Sequence, residues 1–100
     1  MPPHSSALPR HLLPMTSTVT ADGRLCIGGV DVLDLAELHG TPLFVYDEEH
    51  LRARCREAVA AWGDGVAYAS KAFLCKAMAA LAHDEGMHID VSTGGELYVA

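Results

Sequence analysis

Between residues 43 and 100, short apolar runs typical of buried strands alternate with longer stretches in which apolar residues recur at helical spacing. The strand-like runs are 43–46, 66–70 and 88–92. One helical face is formed by Leu51, Cys55, Ala58, Val59 and Trp62. The next is formed by Phe73, Leu74, Ala77, Met78 and Leu81. Strands and helices in this order predict an α/β fold with βαβ units, parallel strands and right-handed crossovers.

Capping residues set the expected limits of these helices. Asp47 is a good N-cap for the first one, and glycines at 63–65 end it. Gly86 is placed to end the second helix. A third helix is expected to begin at Thr93 or Gly94.

The sequence before residue 47 differs in character. Residues 1–20 are rich in Pro, Ser, Thr and His without periodicity, and we predict a mobile leader. Residues 25–30 suggest a β-hairpin around Gly28 and Gly29, and Gly40 ends a short helix that follows it. With the apolar strand at 43–46, these elements form an N-terminal segment at 21–46, distinct from the βα units at 47–100. The short helix is indicated by Val32, Leu33, Leu35 and Leu38.

Composition narrows the class of protein. The chain has 100 residues, half of them hydrophobic, so it holds one soluble domain at most. A net charge of −6 argues against nucleic acid or an anionic membrane as a partner, and no apolar run approaches the ~20 residues of a membrane span. The three cysteines lack metal-site or disulfide-framework spacing, and no histidine pair has ligand spacing. We therefore expect a cytoplasmic protein with reduced thiols and no metal, neither exported nor embedded in a membrane.

Lys71 is the most informative residue, because it stands at the C-terminal tip of the apolar run 66–70. A lysine that is desolvated, or that lies beside another cation, has a lowered pKa, and its amine becomes a nucleophile able to form a Schiff base. Such chemistry suits an aldehyde cofactor such as pyridoxal phosphate. The ordinary alternative is a solvated strand end, or a lysine that protects a strand edge.

The segment 90–96 follows the next predicted strand, so Lys71 and this segment should lie at the same edge of a parallel sheet. Asp90 could hold the lysine or a bound cofactor by charge, or could bond a loop amide, and both readings stay open. Glu96 could support the site or act as the second member of a capping box with Thr93. Ser92 is a further supporting candidate.

Several other chemically capable residues are predicted to be structural. His88 lies at the opposite end of its strand from the candidate site, and Cys75 is expected to be a small core residue. Arg52, Arg54 and Arg56 are expected to form a solvated helix face rather than an anion site.

Two motifs, Tyr-Ala-Ser-Lys-Ala-Phe-Leu-Cys at 68–75 and Asp-Val-Ser-Thr-Gly-Gly-Glu-Leu at 90–97, together resemble the pyridoxal-phosphate-dependent decarboxylases of the alanine-racemase-like barrel class. The nearest branch is diaminopimelate decarboxylase, and the stretch 40–47 looks like its entry strand. The resemblance covers roughly residues 24 to 100. Phe73 departs from the wider superfamily, in which Asn is common at that position, and this disfavours transfer to ornithine or arginine decarboxylases.

The resemblance implies a fold, a cofactor and a reaction. The fold is the start of a (β/α)₈ TIM-type barrel, preceded by a β segment that joins a C-terminal β domain in the full-length protein. Lys71 would bind pyridoxal phosphate covalently and assist proton transfers, Asp90 would lie near the cofactor, and Ser92 and Glu96 would support them. A homodimer would convert meso-2,6-diaminopimelate to L-lysine and CO₂ in lysine biosynthesis.

In the resembled family the phosphate loop, the pyridinium partner and the cross-dimer residues come later than position 100. We therefore expect this chain to be the N-terminal part of a longer enzyme and to be inactive alone. The substrate rests on the branch resemblance. Another basic-amino-acid decarboxylase or racemase of the same barrel class, or an inactive truncated remnant, stays open.

Overall fold

A computed structural model of the chain describes residues 9–100, so the first eight positions of the predicted leader lie outside the described residues. The chain divides into two compact units, one reaching residue 51 and the other spanning residues 52–100. No helix among the residues described is both long and apolar enough to cross a membrane. The candidate site belongs to the second unit.

The first unit contains a three-stranded antiparallel sheet in the order β1-β2-β3, formed by Thr18–Val19, Leu25–Ile27 and Val30–Asp31. Gly28 and Gly29 have φ angles of 59° and 80°, which is the backbone that a tight two-residue hairpin requires. The hairpin predicted around these two glycines is confirmed.

Helix α1 follows directly at Val32–His39. The side chain of Asp31 accepts a hydrogen bond from the amide of Leu33 and so caps the first turn. Gly40 has a φ of 79°, and its amide donates to the carbonyl of Ala36 at 2.7 Å. The predicted short helix with its glycine stop is confirmed.

Two expectations for the N-terminal region need correction. Thr18 and Val19, which were predicted to lie in the leader, pair with Cys26 and Leu25, so regular structure begins before residue 21. The apolar run 43–46 forms no strand in the described part of the chain. A strand needs a neighbour that pairs with its amides and carbonyls, and apolar spacing alone does not report whether one is present.

Helix α2, Glu48–Trp62, begins in the first unit and continues into the second. The buried carboxylate of Asp47 accepts hydrogen bonds from the amides of His50 and Thr16, both at 3.2 Å. Burial acts to raise the pKa of Asp47, but the hydrogen bonds from Thr16 and His50 outweigh it and the pKa is lowered. The predicted N-cap is confirmed, and Thr16 adds a tertiary contact that the sequence did not indicate.

The second unit contains β4 (Ala67–Ala69), α3 (Lys76–Asp84), β5 (His88–Asp90) and α4 (Gly94–Val99). Strands β4 and β5 pair in parallel, with Tyr68 opposite Ile89 and Ala69 opposite Asp90. The predicted βαβ order and the parallel pairing are therefore confirmed. One 3₁₀ turn, Gly63–Gly65, separates α2 from β4, and a second, Ser70–Ala72, follows β4.

Helix α3 supplies most of the buried apolar side chains of this unit. They are Met78, Ala79, Leu81 and Ala82, with Cys55 from α2. Trp62 is 75% exposed, so the predicted apolar face of α2 is wrong at its C-terminal end. Helix α3 also begins later than its apolar pattern suggests, because Phe73 and Cys75 have extended backbones.

The arginines of α2 are paired rather than simply solvated. Arg52 Nη1 lies 2.9 Å from Glu85 Oε2, and Arg56 Nε lies 3.0 Å from Glu85 Oε1. Arg54 forms an exposed pair with Glu57 at 2.8 Å. The predicted solvated face holds for Arg54 and Arg56, whose side chains are 66% and 56% exposed, whereas Arg52 is 24% exposed beside Glu85.

Glu85→Gln should weaken this link between α2 and the end of α3. Hydrogen bonds from Arg52 and Arg56 lower the pKa of Glu85, so its stabilising contribution is present above the ordinary glutamate pKa. That contribution is lost as the pH falls through the lowered, folded-state value. Far-ultraviolet circular dichroism should show less helix in the variant at neutral pH and a smaller loss on acidification than in the parent chain. Glu57→Gln, at an exposed pair, is the control and should change neither quantity.

Candidate functional site

Lys71 lies at the centre of the turn Ser70–Ala72, immediately after β4. Its side chain is exposed and forms no hydrogen bond or ion pair with any other residue in the range 9–100. This exposure agrees with the solvated strand end, one of the two readings that the residues alone left open, and the role of Lys71 as cofactor lysine stays a prediction. Strand β4 pairs only with β5 among the residues described, so its other edge has no partner strand there.

Two side-chain hydrogen bonds hold the turn that carries Lys71. The hydroxyl of Tyr68, before the turn, donates to the carbonyl of Phe73, after it, at 2.6 Å. Ser70 is 2% exposed, and its Oγ lies 2.8 Å from the carbonyl oxygen of Asp90 and 3.1 Å from Glu96 Oε1. The turn is thus closed on itself at one side and bonded to the end of β5 at the other.

Asp90 is the last residue of β5 and lies on the sheet face that α3 does not cover. Successive side chains of a strand alternate between faces, and Ile89 lines a cleft of about 360 Å³ together with Ala79 and His83 of α3. Asp90 therefore points to the opposite face, the same one as its partner Ala69. Its exposed carboxylate makes no hydrogen bond in the described part of the chain, so the bond to a loop amide that the sequence left open is not formed.

Glu96 links the start of α4 to both of its neighbours. Its amide donates to Thr93 Oγ1 at 3.0 Å, which is the first half of the predicted capping box. Its Oε1 accepts a hydrogen bond from the amide of Ser92 at 2.7 Å, whereas the second half of a capping box requires the amide of Thr93 as donor. The same oxygen lies 3.1 Å from Ser70 Oγ. Glu96 thus has a structural role at the helix start, while a supporting role in a site stays a prediction for it and for Ser92.

The expectation that Lys71 and the 90–96 segment share one edge of the sheet is confirmed. The partner of Asp90 is Ala69, two residues before the lysine, and the strands are parallel. An exposed amine and an exposed carboxylate thus stand at the C-terminal ends of adjacent strands. This is where parallel α/β folds place ligands.

Sequence reasoning missed the roles of Ser70 and of the Tyr68 hydroxyl. Ser70 is part of the lysine motif, but nothing in the pattern distinguished a buried, bonded hydroxyl from an ordinary strand end. The Tyr68 hydroxyl donates to the Phe73 carbonyl and so holds the turn, which no pattern in the sequence indicated. The available signal has two parts. Ser70 is a small polar residue that ends an apolar run, and Glu96 lies six residues after Asp90, where the next strand ends.

Comparison with known proteins gives a consistent result, although no family model matches the chain. A diaminopimelate decarboxylase of Mycobacterium bovis is 51% identical over 89 residues, covering 87% of this chain and 20% of that protein. The enzyme of the same name from Halalkalibacterium halodurans is 52% identical over 90 residues, covering 85% and 20%. That of Corynebacterium efficiens is 46% identical over 95 residues, covering 93% and 21%. The resemblance is thereby confirmed: the chain is similar over most of its length to diaminopimelate decarboxylases, and it spans about 20% of the length of the curated relatives it matches.

Proposed function

We propose that this chain is the N-terminal part of an enzyme that decarboxylates meso-2,6-diaminopimelate to L-lysine and CO₂. The observation that carries the proposal is the sequence identity of about 50% to enzymes named diaminopimelate decarboxylase, over a region that includes Lys71. A continuous match over 87% of a 100-residue chain includes position 71 wherever the match begins, and a match over 93% includes position 90. The alternatives, another decarboxylase or a racemase of the same class or an inactive remnant, have no observation in their favour.

The cofactor we propose is pyridoxal phosphate, and the residues at the sheet edge fit its attachment. When bound, this cofactor supplies an electron sink for the negative charge left at the α-carbon by the departing CO₂. Lys71 has an exposed amine with no competing partner among residues 9–100, as covalent attachment to an aldehyde requires. The amine, once free, would carry protons to and from the substrate carbon.

Asp90 is proposed to stabilise positive charge near the cofactor at this edge of the sheet. Its carboxylate is exposed, unbonded in the described chain and on the sheet face away from α3. A carboxylate in that position would hold a protonated amine near the cofactor and favour its charged form. Ser92 and Glu96 are proposed as supporting residues that shape the turn after β5.

The wider architecture is proposed from the βαβ unit and from the family. The parallel pair β4–β5 with its connecting helix α3 is the repeating unit of a (β/α)₈ barrel. The β1-β2-β3 segment would join a C-terminal β domain, and the enzyme would be a homodimer in the cytoplasm. The net charge of −6 gives no basis for a nucleic-acid partner.

An assay of the complete enzyme, meaning this segment in its full-length protein, tests the substrate and the cofactor together. We expect CO₂ release from meso-2,6-diaminopimelate that depends on added pyridoxal phosphate, with L-ornithine and L-arginine as the control substrates. Preference for either control substrate would overturn the assignment to this branch, and turnover without the cofactor would overturn the class.

Asp90→Asn in the complete enzyme should lower kcat/KM by about tenfold or more, equivalent to ~1.4 kcal/mol of transition-state stabilisation. The change keeps the shape and removes the charge, and the carboxylate makes no hydrogen bond within residues 9–100 that folding would lose. Steady-state kinetics and thermal unfolding should be measured together. A lower unfolding temperature with unchanged kcat/KM would assign Asp90 to the scaffold.

A further inference from the structure

We propose that Ser70 is a positioning residue for Lys71, acting through Glu96 and the carbonyl of Asp90. The inference rests on the proposed function of Lys71, and it concerns a residue to which the sequence motif assigned no role. Ser70 is the immediate neighbour of the lysine, and its side chain is 2% exposed.

The need for such a residue follows from the isolation of Lys71. The lysine side chain makes no hydrogen bond or ion pair with the rest of the described chain, so its own contacts do not fix where the amine stands. Its position is set by the backbone of the turn Ser70–Ala72. Whatever anchors this turn therefore also sets the place of the amine.

Ser70 anchors the turn to the element that carries Asp90. Its hydroxyl has one proton and two acceptors within reach: the carbonyl of Asp90, at the end of β5, at 2.8 Å, and Oε1 of Glu96, in the segment that follows β5, at 3.1 Å. Glu96 in turn accepts the Ser92 amide at 2.7 Å. The turn with the amine and the turn after β5 are thus bonded through one buried hydroxyl, which holds Lys71 and Asp90 in a fixed relation.

Kinetics of the complete enzyme test the inference. Ser70→Ala should lower kcat by roughly tenfold or more, with KM within about threefold, because misplacing a reacting group slows the chemical step more than it weakens binding. Glu96 Oε1 accepts the Ser92 amide and lies within hydrogen-bond distance of Ser70 Oγ. Glu96→Ala removes that acceptor and should behave like Ser70→Ala.

Thr93→Ala is the matched control. Thr93 caps α4 through the Glu96 amide but does not contact Ser70, so its loss should lower the unfolding temperature and leave kcat unchanged. An equal fall in kcat for Thr93→Ala and Ser70→Ala would mean that the start of α4, not the position of the lysine, is what matters, and would overturn the inference.

A chemical readout separates positioning from activity. The chain contains two lysines, Lys71 and Lys76, so attachment of pyridoxal phosphate trapped by borohydride can be read at each by peptide mass spectrometry. In the complete enzyme, Ser70→Ala should lower the ratio of labelling at Lys71 to that at Lys76 by severalfold, while Thr93→Ala leaves it unchanged. An unchanged ratio in Ser70→Ala overturns the inference even if that variant is too unstable for kinetics. If the parent enzyme itself shows no preference for Lys71, the proposed function fails; if it does and Ser70→Ala matches it, only the positioning role fails.

Discussion

Lys71→Ala should abolish decarboxylation in the complete enzyme while leaving its folding nearly unchanged. The proposed chemistry requires a covalent link to the ε-amine, and the chain has one other lysine, Lys76, which begins α3. Because Lys71 is exposed and makes no bond with the rest of the described chain, we expect its loss to change the free energy of unfolding by less than about 0.5 kcal/mol. Turnover and denaturant unfolding measured on the same preparation provide the check.

Lys76→Ala is the control for this experiment. It removes the second lysine of the chain, which is also exposed and begins helix α3, five positions after Lys71. We expect turnover close to that of the parent. Turnover in Lys71→Ala that equals the Lys76→Ala value would end the assignment of Lys71 as the cofactor lysine.

The sequence predicted the local elements where one strong signal decided each of them. Gly28 and Gly29 marked the hairpin, Asp47 marked the start of α2 and Thr93 marked the start of α4. Such signals act within a few residues of backbone, so they do not depend on the rest of the fold. The parallel pairing of β4 and β5 followed from the order of the elements.

The errors arose where a tertiary partner decides the outcome. The run 43–46 is apolar enough for a strand but is in neither sheet among residues 9–100. Trp62 continues the apolar spacing of α2 and yet is 75% exposed, because a helix face is buried only where another element covers it. The spacing of apolar residues indicates which side chains could be buried, whereas the neighbouring elements determine which of them are buried.

The candidate site was predictable in its location but not in its bonding. Position at the C-terminal ends of parallel strands brought Lys71 and Asp90 to one edge without any distance being known. The Ser70 bond to the segment after β5 needs the two turns in register, and Glu96 reaching back to Ser92 rather than to Thr93 depends on loop geometry. Neither is encoded in a spacing rule.

The isolated 100-residue chain should be weakly folded, prone to associate and inactive. Within residues 9–100 no large side chain is fully buried, whereas Phe44 is 87% and Tyr98 88% exposed. Burial of one such side chain contributes about 1.5–3 kcal/mol, so leaving several exposed removes a large share of the usual stability of a small domain. The sheet β4-β5 also has two strands only, and each has an edge without a partner strand among the residues described.

Thermal circular dichroism, gel filtration and a CO₂ assay of the purified chain test this expectation. We expect a broad transition, elution as larger species and no CO₂ release above the rate without protein, because the segment spans about 20% of the relatives it matches. The double variant Phe44→Ser and Tyr98→Ser should associate less and keep its helix content, since both side chains are exposed and support no buried packing. A compact monomer with a cooperative transition, stoichiometric pyridoxal phosphate and CO₂ release would contradict the prediction. Such a result would mean that two parallel strands and the turn around Lys71 suffice for the chemistry.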